Sequence, residues 1–264
     1  MKYKIKHLYH KFSDIIISDL TYGLFNAVKW FYRLCIRRRI ASFRIENTMG
    51  NVTKRAYLYQ HGHFPKDHKH KGAILVLHGL YGNPSSMLQL IDTAQKAGAG
   101  SVFSMFLSYD RKNPEMHRAL LLQAIDQIGL ITQNQANVPN SITLVGHSQG
   151  AIESAYRLFV EKDKRIRAVI SIAGRLRVVP SPDKGCRPLM KSTVETVFRA
   201  INEYPEYPLY QIVAADDWNA PTEATLVRPI EGFYHVVKDA KHLNIIYNNI
   251  TLTKLTEYLK KSTL

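Results

Sequence analysis

Three short stretches hold residue types that together could carry nucleophilic acyl transfer. In "VGHSQGAIESAYRLF" Ser148 stands between Gly146 and Gly150, after an apolar "SITLV" and before a segment of helical character. Small residues on both sides let a strand and a helix meet in a sharp turn, which leaves the serine side chain at the apex. A serine hydroxyl is a weak nucleophile at neutral pH, so the chemistry requires a base, a carboxylate to orient that base, and donors for the developing oxyanion. "IVAADDWNAP" supplies Asp216 and Asp217, and "KDAKHLNIIY" supplies His242. The chain order is then serine, aspartate, histidine. His235 is the rival base, but it lies inside an apparent strand, "FYHVV", where a histidine facing the sheet or core is the plainer reading.

Those residues need a frame. "AILVLHG" is an unbroken apolar run ending in a glycine turn, as expected of a strand buried on both faces of a parallel sheet. Beyond it, helices expected near 85–97, at 115–133, from 149 and from 243 alternate with strands at "SVFSMFL", "SITLV", "IRAVISIAG", "LYQIVAA" and "GFYHVVK". Upstream, "FRIENTMGN" and "VTKRAYLYQHG" read as two strands joined at Gly50-Asn51. Alternation of this kind implies an α/β architecture with helices on both faces of a mostly parallel sheet, and reactive groups at the carboxyl ends of its strands.

Over about residues 43–261 the sequence resembles the α/β-hydrolase superfamily, in particular its lipase and esterase-like serine hydrolases. "VLHGLYGN" resembles the His-Gly oxyanion loop, "VGHSQGA" the nucleophile elbow, "AADDWNAP" the acid turn and "AKHLNII" the histidine turn. The resemblance implies a twisted sheet of about eight strands, with Ser148, Asp217 and His242 as catalytic residues. Asp217 is preferred over Asp216 because the family's acid lies four positions before a proline, here Pro221, and adjacent residues at a strand end face opposite ways. Asp183 is a remote alternative. The backbone amides of Leu80 and Gln149 are the expected oxyanion donors, with Gly79 and Gly82 allowing close approach and His78 and His147 positioning the turns.

The implied reaction is hydrolysis of a small-molecule or lipid carboxylic ester through an acyl-enzyme, without metal or organic cofactor. Thioester or amide hydrolysis on the same triad is the alternative, as is a non-catalytic membrane-binding protein on this scaffold. Where secreted bacterial lipases carry a Thr-Pro-His-Arg-Gly type motif, this chain has "SIAGRLRVVPSP". An irregular stretch at about 175–207 lies where the superfamily inserts lids. It contains an expected helix, 191–202, whose Val194, Val197, Phe198 and Ile201 could cover an acyl pocket or pack on the core.

Composition bounds the remaining possibilities. The 264 residues carry a net charge of +15, and ten Lys or Arg against two Asp fall in residues 1–44. Residues 1–42 form a basic segment with an expected amphipathic helix at 13–36, suited to packing on the domain or to an anionic membrane surface. Residues 43–264 form the hydrolase domain. Polar interruptions rule against a membrane span in that helix, and no cleavable signal pattern precedes it. Two cysteines without metal-type spacing, Cys35 and Cys186, fit a cytoplasmic protein, peripheral to a membrane. His61, His63, His68 and His70 are interleaved with lysines that would repel a cation, so a solvated loop is expected there. Nucleic acid is disfavoured as a partner, since no reader motif accompanies the basic residues.

Overall fold

The computed structural model describes residues 39–61, 72–80, 82–98, 100–109, 113–136, 141–179 and 188–262. The helix expected at 13–36, both cysteines, His63, His68, His70 and Asp183 lie outside these residues.

Eight strands form one sheet: β1 (Arg39–Met49), β2 (Val52–His61), β3 (Ala73–Leu77), β4 (Ser101–Phe106), β5 (Ile142–His147), β6 (Ile166–Ile172), β7 (Leu209–Ala214) and β8 (Tyr234–Val237). Their spatial order is β1-β2-β4-β3-β5-β6-β7-β8. Only β2 runs against the rest, pairing antiparallel with both β1 and β4. The β1–β2 hairpin closes through Gly50 and Asn51, between paired Met49 and Val52, and Gly50 takes the positive φ of 57° that suits a two-residue loop. β1 begins at Arg39, four residues ahead of the boundary expected at 43, because its first residues pair with the end of β2.

Along β3 the side chains alternate between two cores, which explains its unbroken apolar sequence. Leu75 and Leu77 join Phe103, Leu144 and Val169 on one face. Ile74 and Val76 join Val102, Val145 and Ile170 on the other. The first face is covered by α2 (Pro114–Ala136), α3 (Gln149–Ala155) with the π-helical turn Tyr156–Val160 that continues it, and α4 (Pro188–Glu203). The second is covered by α1 (Leu88–Ala97) and α6 (Asn249–Ser262); a short α5 (Thr222–Thr225) follows β7.

Two segments refine the sequence expectations. The last helix begins at Asn249, not at 243: residues Asn244–Tyr247 form a 3-10 turn, and Asn248 is extended (ψ 131°) with its Oδ1 accepting from Ile250 N–H, which caps the helix there. In α4, Val194, Val197 and Ile201 are buried in the first core, and Phe198 is half-buried. Its apolar face is therefore used in packing. The guanidinium of Arg228 holds the end of this helix by donating to the carbonyls of Ile201, Tyr204, Pro205 and Tyr207.

Candidate active site

Every expected site residue lies at the carboxyl edge of the sheet. His78-Gly79-Leu80 follow β3, β5 ends at His147 with Ser148 next, Asp217 follows β7, and His242 follows β8. The order of the strands, β3-β5-β6-β7-β8, brings these ends side by side.

Ser148 sits at φ 54° and ψ −116°, a conformation that costs a non-glycine residue about 1–3 kcal/mol and persists only where its surroundings enforce it. They do so here. Ser148 N–H donates to the Ile172 carbonyl at 3.0 Å, and Ser148's own carbonyl accepts from Ala151 at 3.1 Å. A β-carbon on Gly146 would lie 2.4 Å from Ala151 N, and one on Gly150 would lie 2.7 Å from the Leu77 and His78 carbonyls. Neither position tolerates a side chain without displacing backbone.

His242 Nε2 lies 2.8 Å from Ser148 Oγ, and its Nδ1 lies 2.6 Å from Asp217 Oδ2. A carboxylate can only accept, so Nδ1 carries the proton and Nε2 offers its lone pair to the serine hydroxyl. Asp217 is buried, and its other oxygen accepts the backbone N–H groups of Asn219 and Ala220, each at 2.9 Å. The neighbouring Asp216 is exposed; its N–H donates to the Ala240 carbonyl and ties the acid turn to the histidine loop. His235 lies in β8 opposite Ile212.

The two supporting histidines hold turns. His147 Nε2–H donates to the His242 carbonyl at 2.8 Å, fixing the backbone of that histidine. Burial, reinforced by nearby His242, lowers its pKa to about 3, so it stays neutral. His78 donates from Nδ1 to the Gly79 carbonyl at 2.6 Å and accepts the Leu107 N–H on Nε2 at 3.1 Å, which fixes its tautomer and ties the loop to the residue that follows β4. Burial lowers its pKa too. A β-carbon on Gly79 would stand 3.2 Å from Ser148 Cβ, so the His-Gly loop passes directly beside the serine. Gly82 turns the loop back, its N–H donating to Gly79. The amides of Leu80 and Gln149 find no acceptor among the described residues.

Two supports have only faint signals in the sequence. Gly174 admits Ala151, whose Cβ would be 2.4 Å from a β-carbon there; the signal is a glycine closing "SIAG" at the end of the neighbouring strand. Glu153 is a fully buried acid that accepts from the Gln149 side chain, and its signal is a charge four residues after Gln149 on an otherwise apolar helix. No group of three His, Cys, Asp or Glu able to hold a metal occurs among the described residues, nor does a helix long and apolar enough to cross a membrane.

The fold recurs in solved structures. A thermostable carboxylesterase cloned from a metagenomic library aligns at a TM-score of 0.60 and 12% identity, covering 94% of this chain and 97% of its own. An esterase from Pyrobaculum calidifontis aligns at 0.60 and 12%, covering 94% and 92%, and naproxen esterase from Bacillus subtilis at 0.59 and 12%, covering 89% and 95%. At such identities the likeness is one of fold. Curated protein sequences contain no match. The sequence does match a family over residues 73–261, which span all four turns of the site from the His-Gly loop to His242. The chain is thus an α/β hydrolase, and it belongs to the palmitoyl protein thioesterase family.

Proposed function

We propose that the protein is a serine hydrolase that cleaves an acyl ester through a covalent intermediate on Ser148. The observation that carries this reading is the unbroken hydrogen-bond chain from Ser148 Oγ through His242 to buried Asp217, at 2.8 and 2.6 Å. His242 takes the hydroxyl proton as Ser148 attacks the carbonyl carbon, and the imidazolium then protonates the leaving group. Asp217 holds the imidazole in the required tautomer and stabilises its charge. The Leu80 and Gln149 amides receive the oxyanion, a contribution of about 3 kcal/mol for each such donor. Water, activated by the same histidine, releases the acid and restores the serine.

Family membership favours a second, narrower reading: a thioester as the bond cleaved. A thiolate leaves more readily than an alkoxide, and the triad chemistry is otherwise the same. A fluorophosphonate probe should label the wild-type chain and fail on Ser148→Ala; a folded wild-type chain that resists the probe sinks the assignment. Matched oxygen esters and thioesters with one acyl chain, ranked by kcat/KM, then separate the two bonds. Running the same assay with and without anionic vesicles tests whether the basic N-terminal segment directs the enzyme to a lipid surface, with an increased rate expected.

A further inference from the structure

Behind the elbow lies a buried ionic cluster that the acyl-transfer chemistry does not use. Glu153 on α3 is 2% exposed, and His117 and Arg118 on α2 are 2% and 5% exposed. Glu153 accepts from the side-chain amide of Gln149 at 2.8 Å and from Arg118 Nε at 3.1 Å, and His117 Nε2 lies 3.1 Å from its Oε1. Arg118 is itself held from three sides. Its Nη2 donates to Thr193 on α4, its guanidinium lies 3.6 Å above the Tyr156 ring, and its carbonyl accepts from Arg157. Burying ions costs desolvation that apolar side chains of similar volume would avoid, so stability alone does not account for the cluster.

Its reach does. At one end Gln149, whose amide is a proposed oxyanion donor, is tied to Glu153. At the other end the rings of His117 and Tyr109 meet edge to face, with centroids 5.4 Å apart, and the Tyr109 hydroxyl donates to the His78 carbonyl at 2.7 Å, just before the Gly79-Leu80 peptide. We propose that Glu153 is a positioning residue that sets the separation of the two halves of the oxyanion hole, acting on the elbow through Gln149 and on the His-Gly loop through His117 and Tyr109. The inference rests on the serine-hydrolase reading above. Oxyanion donors act only when fixed where charge develops, so loosening them lowers the rate of the chemical step and leaves substrate binding nearly intact.

The test uses the full chain and a chromogenic acyl ester. Glu153→Gln and Gln149→Ala, each verified as folded by circular dichroism, should lower kcat by about 10- to 100-fold with KM within about twofold. Inhibition by a trifluoromethyl ketone, whose adduct places an oxyanion in the hole, should weaken by a similar factor. Tyr109→Phe should show the same pattern at smaller size. Because the pathway to the elbow runs through Gln149, the double variant Glu153→Gln/Gln149→Ala should lose little more than the worse single variant. Unchanged kcat and ketone affinity in folded Gln149→Ala would overturn the proposal, as would losses that multiply in the double variant. Should Glu153→Gln fail to fold, Gln149→Ala and Tyr109→Phe decide the question. Ser148→Ala separates the two levels: if it still hydrolyses the ester, the serine-hydrolase reading fails, whereas an inactive Ser148→Ala beside a fully active Gln149→Ala overturns the positioning role alone.

Discussion

Two buried carboxylates stand close to Ser148 in the chain's tertiary structure, and they are held by opposite means. Asp217 lies in a turn, with two backbone amides on one oxygen and His242 on the other. Glu153 lies in a helix whose backbone donors are already engaged, and it is held by side chains of another element, the Arg118 guanidinium and the His117 ring, together with Gln149 of its own helix. Burial pushes the Glu153 carboxyl up, but His117 and Arg118 outweigh it and keep the group below its ordinary value. A carboxylate held by local amides on one oxygen can be spared without unsettling the fold, and its other oxygen is left to hold the imidazole. One held by distant side chains is part of the packing of α2 against α3.

That contrast makes its sharpest prediction for activity. Asp217→Asn should lower kcat by about 10⁴-fold, since an amide no longer enforces the Nδ1–H tautomer. A larger kcat loss in Glu153→Gln than in Asp217→Asn would reverse the assigned roles. For stability the order should invert. Glu153→Ala strands Arg118 in the interior and should cost about 3 kcal/mol, the low end for a broken buried pair because Glu115 still reaches Arg118. Asp217→Ala leaves the Asn219 and Ala220 amides of one turn without their acceptor, but strands no charge, and should cost about 1–2 kcal/mol. Urea titration of both variants checks the ranking, and equal midpoints would erase the distinction.

Acid should act on the helix cluster and the histidine turns in the same direction. His147 is depressed from 6.5 to about 3, so between those values the unfolded chain binds a proton that the folded chain refuses. Stability is thus fully present above pH 6.5 and falls on acidification, by about 1.4 kcal/mol per pH unit for this one group. Glu153, with its depressed pKa, also loses its contribution as pH falls. In His147→Gln the dependence of unfolding free energy on pH between 6.5 and 4 should flatten by up to that slope; an unaltered slope would remove His147 from the account. The smallest effect is expected at Asp216, exposed beside Asp217. Asp216→Asn should change kcat by less than about twofold and stability by less than about 0.5 kcal/mol, and a triad-sized loss there would move the acid by one position.

Local rules made much of the site readable. The elbow needs glycines because strand and helix backbones touch, the acid turn resembles the family's in having a proline four residues on, and the alternation of strands and helices orders the turns along one edge. Each is a property of a few consecutive residues. The lid helix was ambiguous at that level, since an apolar face looks the same whether it covers a pocket or a core; α4 packs on the core. The start of the last helix was also set by a local detail that periodicity does not register, the cap at Asn248.

By itself, the sequence determined the architecture and the chain order of Ser148, Asp217 and His242, because the first depends on hydrophobic period and turn chemistry; the preference for Asp217 over Asp216 drew also on the resemblance to α/β hydrolases. Tertiary structure alone decided that His242 reaches both partners, that His147 serves as a brace for its loop, and that Glu153 is tied to Arg118 and His117 thirty-five residues or more away in the chain. Pairings across such separations leave no periodic trace. They exist only where packed elements bring side chains within hydrogen-bond reach and exclude the water that would otherwise satisfy them.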